Sequence, residues 1–89
     1  MTEQEISYDA IIRAEVAIEI LNQARAIVTA RIYALETEDP AGAEELRRRR
    51  RELVDVQQRI RPEDGDAVEN LIAAWGPRVK DEALFWSEF

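Results

Sequence analysis

The side chains able to do chemistry in this chain are carboxylates and guanidiniums, because cysteine and histidine are both absent. Without thiols there is neither a disulfide framework nor a thiolate metal site. Without imidazole the commonest metal ligand and the usual general base near neutral pH are missing. Glu15 and Glu19 stand four residues apart, on one face of a helix, and with carboxylates from elsewhere such a pair ligates a hard divalent ion. Their neighbours are polar, however, so the pair reads as two solvated surface groups. Asp64-Gly65-Asp66 looks like a fragment of a calcium loop but lacks the alternating ligands and the closing glutamate, and reads as a turn. Ser7 and Ser87 have no histidine base and no glycine-rich elbow. Three isolated glycines, Gly42, Gly65 and Gly76, do not form a phosphate loop. No cofactor and no metal is expected.

The guanidiniums are more conspicuous. Five consecutive arginines, Arg47 to Arg51, lie in a segment, residues 46–61, of net charge +5; the segments before and after it carry -7 and -5. In the plainest reading the run is a solvated helix supported by i,i+4 pairs: Glu44 with Arg48, Glu45 with Arg49, Arg48 with Glu52, Arg51 with Asp55. Alternatively Arg47, Arg48 and Arg51 dock an acidic protein, including a second copy of this chain. Direct nucleic-acid binding is disfavoured. Five consecutive helical residues sweep around the axis instead of forming one stripe, no aromatic residue interleaves with them, and the whole chain has net charge -7. A different use of arginine would be a small all-helical enzyme that holds a dicarboxylate or phosphate through Arg13, Arg25 and Arg31 of the first helix.

The elements that position these groups follow from periodicity. Residues 7–37 contain neither proline nor glycine. Ile11, Ala14, Ile18, Leu21, Arg25, Val28, Ile32 and Leu35 recur at steps of three and four, a seam of coiled-coil type. Ser7 serves as N-cap, the alternative being a capping box at Thr2 and Glu5. Asp39-Pro40 caps and opens a second helix over about 40–61. Its seam pairs Leu21 with Gln57 and Val28 with Arg50, so the two helices form a long antiparallel hairpin. One or two short helices close it, at about 67–75, capped by Asp66, and 77–86, with Gly76-Pro77 as the break. The fold class is all-α and the chain a single domain, residues 1–6 being a short lead-in.

A second apolar group, Ile12, Val16, Ile20 and Ile27, makes the greasy surface of helix 1 wider than one antiparallel neighbour covers. The aromatic C-terminal segment with Trp75, Phe85 and Trp86 folds over that surface or lies across a partner chain. These residues form the expected interface of a homodimer, with Arg13 and Arg31 crossing to carboxylates of the second copy. The leading functional expectation is therefore a small interaction or accessory protein, not an enzyme, homodimeric through helix 1. A second is an acidic decoy or inhibitor of a nucleic-acid-binding protein, which would present Glu36, Glu38, Asp39, Glu44 and Glu45 around the first turn. No apolar run reaches the eighteen or so residues of a membrane span, and the acidic N-terminus does not resemble a signal peptide, so a cytoplasmic setting is expected.

Overall fold

Ser7 opens the first helix, its hydroxyl accepting the Ala10 N–H at 3.0 Å, in a computed structural model that describes residues 6–89. The alternative cap at Thr2 lies outside the described residues. From Ser7 the chain forms α1 (Tyr8–Leu35), α2 (Pro40–Gln58), α3 (Gly65–Val79) and α4 (Glu82–Glu88), with no strand among the described residues. Asp39 caps α2 by accepting the Gly42 N–H at 3.0 Å, and Pro40 occupies a first-turn position where its missing N–H has no intrahelical partner to lose. No described helix is long and apolar enough to cross a membrane.

Two boundaries differ from the sequence expectation. Asp64, not Asp66, caps α3, accepting the Ala67 N–H at 3.2 Å, and Glu69 turns away from the cap to pair with Arg13. Helix α3 also runs through Gly76-Pro77 to Val79. A proline normally clashes with the residue before it in helical conformation, chiefly through that residue's Cβ. Gly76 has none, and the carbonyl of Ala73 that loses its partner belongs to an exposed residue, where water replaces the bond. The break comes later, at Asp81, which caps α4 through the Leu84 N–H at 3.2 Å.

The hairpin expected from the seams is present. Ala14, Ala17, Leu21, Ala24, Val28 and Ile32 of α1 are buried, at steps of three and four. Three of these six are alanines, which lets neighbouring helices approach closely. Gln57 donates to the Ile18 carbonyl at 3.0 Å and Arg50 to the Thr29 hydroxyl at 2.8 Å, close to the expected register. Helices α2 and α3 both pack along α1. Ala43 and Leu53 of α2 and Phe85 of α4 complete the core toward the C-terminal end of α1, and Val68 of α3 meets Ala14 and Ala17 toward its start.

The wide face of α1 is covered by the chain's own C-terminal part. Ile20 reaches within 3.8 Å of the point where a Gly76 side chain would begin, and Ile27 packs on the Phe85 core. Around fully buried Phe85 stand Trp75 at 6.2 Å, Trp86 at 5.1 Å and Phe89 at 5.0 Å between ring centroids, tilted, edge-on and stacked respectively, all within the range of favourable aromatic pairing. The molecule is elongated, 59 × 23 × 15 Å. Its accessible surface of 5960 Å² exceeds the roughly 5,400 Å² expected of a compact chain of this mass.

Candidate interaction surface

The residues expected at a self-contact fall into two groups. Val16, Ile20 and Ile27 are half-buried, and Trp75, Phe85 and Trp86 belong to the internal aromatic cluster. Ile12 remains exposed. Arg13 and Arg31, expected to cross to a second copy, each have a partner in their own chain. Arg13 donates from Nε and Nη2 to the two Glu69 oxygens, both at 2.8 Å, a bidentate fork joining α1 to α3. Its hydrogen bond pulls the Glu69 carboxyl below the usual carboxylate range, against a smaller opposing effect of desolvation. The Arg31 guanidinium lies 4.2 Å from the Trp86 ring centre, a cation–π contact that ties α4 to α1. Both arginines are thus bound at the exposed edge of their own fold, on the sides of α1 where α3 and α4 lie.

The acidic cluster around the first turn is similarly engaged. Glu36 and Glu44 both pair with Arg47, at 3.0 and 3.1 Å, and Glu45 pairs with Arg48. Asp39 is the α2 cap, which leaves Glu38 as the member without a hydrogen bond or ion pair among the described residues. Arg48 also meets Glu52 at 2.6 Å. Its hydrogen bond holds the Glu45 carboxyl below the ordinary value. Of the expected i,i+4 pairs only Arg48 with Glu52 forms among the described residues. Arg49 instead bonds the Phe89 backbone oxygen and lies 4.0 Å from the Phe89 ring centre. Arg51 is exposed and makes no ion pair among the described residues. The geometry therefore favours neither a free acidic face at the turn nor a free basic face at Arg47 and Arg48.

Arg25 and Arg50, which interrupt the seams, meet uncharged partners. Arg25 donates to the Gln57 side-chain oxygen at 2.9 Å, and Gln57 in turn donates to the Asn22 oxygen at 2.8 Å. The Nε of Arg25 is buried without a partner. Arg13, Arg25 and Arg31 thus point to three different surroundings and do not converge on one anion.

Tyr33 and Leu84 are exposed singly, at 70 and 36%, while the other exposed large apolar residues gather at one end of the molecule. Ile6, Tyr8, Ile11 and Ile12, at the opening of α1, are 45, 76, 39 and 37% exposed. At the same end a cleft of about 150 Å³ lies between the last turn of α2 and the start of α3. Two of its residues, Arg59 and Arg61, escaped the sequence reading because they sit outside the arginine run. Their one local signal was their position on either side of the apolar Ile60. The chain matches no family model, no curated protein and no solved structure.

Proposed function

We propose that this chain is a non-enzymatic interaction protein that pairs with a second copy of itself through the opening turns of α1. The observation that carries this reading is the exposed apolar group Ile6, Tyr8, Ile11 and Ile12. Tyr8, Ile11 and Ile12 fall at i, i+3 and i+4, one face of the helix, and such a local concentration of exposed large apolar side chains marks a contact surface. The first turn of α1 precedes Ala14, the first buried residue of the helix, and the bundle covers it only in part. Glu36, Glu44, Glu45, Glu52 and Glu69 are bonded to arginines and Asp39 to the backbone, which fits a structural role for them. A cytoplasmic setting belongs to the same reading and rests on the acidic, cysteine-free composition.

Light scattering at tens of micromolar tests it. A particle of twice the chain mass is expected, reduced to the single mass by Ile12→Asp, a substitution at an exposed position that leaves the core intact. A monomeric wild-type protein would sink the reading.

A further inference from the structure

The cleft between α2 and α3 gives this self-contact a specific form, one that rests on the pairing of copies through the opening of α1. We propose that the opening of α1 of one copy docks its apolar knob into the cleft of the other, with Glu15 meeting Arg59 and Arg61, and that the contact is reciprocal.

The cleft is walled by Val56, Ile60, Val68 and Leu71, with Ala67 at its mouth and Arg59 and Arg61 on its rim. No described residue of α1 lines it. It exists because α2 and α3 pack on α1 far more closely than on each other, so the apolar residues they turn toward one another meet imperfectly. A cavity of about this size accepts a group as large as a benzene ring, and filling it with an aliphatic side chain removes apolar surface from water.

Ile6 and Ile11 occupy the positions before the cap and in the second turn that a hydrophobic staple uses, which puts two apolar side chains at the helix start to serve as the knob. Both are partly exposed, Ile6 at 45% and Ile11 at 39%, so they present an apolar surface to a neighbour.

The charges agree. In a chain of net charge -7, Arg59 and Arg61 pair with no carboxylate among the described residues. The carboxylate of Asp64, which also lines the cleft, is directed to the α3 cap. On the other side of the proposed contact, Glu15 stands one turn beyond Ile11 on the same face of α1 and likewise has no ion pair among the described residues. Apolar residues beside a carboxylate, facing an arginine-rimmed apolar cleft, are complementary in both terms.

Symmetry closes the pair. Knob and cleft lie at the same end of the molecule, but neither Ile6 nor Ile11 lines the cleft of its own chain, so one copy offers both halves of the contact at once. A two-fold axis across that end lays the projecting turn of each copy against the other's α2 and α3, so that residue i meets j and j meets i.

Because the natural chain has no cysteine, single-cysteine variants report the contact directly. Ile11→Cys and Ala67→Cys proteins, carrying different tags, are mixed and oxidised in air. The mixed disulfide is expected to dominate over both like-with-like products. Separately, Arg59→Glu with Arg61→Glu is expected to weaken dimerisation at least tenfold by light scattering across a dilution series, and Glu15→Lys in the same chain to restore part of the loss. Ala67→Phe, which fills the cleft from an exposed position, is expected to give a folded monomer by circular dichroism. A wild-type dimer that gives mainly the Ile11→Cys like-with-like product, or that is indifferent to the arginine reversal and to Ala67→Phe, overturns the docking while leaving self-association standing. A wild-type monomer overturns both.

Discussion

Gln57 is the side chain whose removal most directly tests how the α1–α2 seam tolerates arginine. Its oxygen accepts from Arg25 while its nitrogen satisfies Asn22 and the Ile18 carbonyl. Gln57→Leu strands several of these groups at once, and a stranded half-buried donor costs about 1–3 kcal/mol. The expected result in urea denaturation is a loss of that order, largely recovered in the double variant Arg25→Leu with Gln57→Leu, which removes both members. Charge at the surface is tested by pH. The carboxyls of Glu69 and Glu45 are held below their ordinary values by hydrogen bonds from Arg13 and Arg48. A carboxyl with a lowered folded value contributes stability that is present above its unfolded value, near 4.3, and is lost as pH falls through the folded one. Thermal melts should therefore separate wild type from Glu69→Gln at neutral pH, with the gap closing below about pH 4 as both chains carry an uncharged group there. Added salt should narrow the gap as well, since both partners are solvent-exposed.

At the scale of the element, the α1–α2 turn shows a side chain and a missing side chain acting together. A Cβ on Gly42 would come within 2.4 Å of Asp39 Oδ2 and displace the capping carboxylate. Gly→Ala within a helix ordinarily gains up to about 1 kcal/mol, while loss of an Asp cap costs about the same. Gly42→Ala should consequently be close to neutral in the wild type but stabilising by about 1 kcal/mol in an Asp39→Ala background, where no cap remains to displace. A double-mutant cycle by denaturant titration measures that coupling, and additive effects would contradict the steric account. Helix α3 carries the opposite lesson. Gly76-Pro77 reads locally as a stop, yet the helix continues because Gly76 lacks the Cβ that would clash with the proline ring and because Ile20 of α1 lies close against it.

For the whole molecule, elongation and self-association belong together. A bundle only 15 Å across in its thinnest direction leaves much apolar surface near water, and α3 and α4 are already committed to the wide face of α1. If the opening of α1 is covered by a second copy, folding and assembly are linked. The melting temperature should then rise with protein concentration, about 1.4 kcal/mol of added stability accompanying each tenfold rise in concentration above the dimer Kd. A melting temperature independent of concentration over two decades, together with a single-chain mass in light scattering, would remove the assembly from the account.

The chain by itself determined where α1 and α2 begin and most of the residues that they turn inward, since caps and apolar spacing act within a few residues. Ser7 and Asp39 cap as their positions require, and of the expected α1 seam Ala14, Leu21, Val28 and Ile32 are buried, while Ile11 at its start is exposed. The short antiparallel connection also set the hairpin register. Tertiary structure alone decided the partners of the arginines. Arg13 with Glu69, Arg31 with Trp86 and Arg49 with Phe89 are separated by forty residues or more. Each depends on which faces of α3 and α4 come to rest on α1 and α2, and a guanidinium on a long flexible stem has many acceptors within reach until packing chooses one. The cleft at Arg59 and Arg61 likewise had no local signature, because an imperfect fit between two helices is a property of their placement on a third.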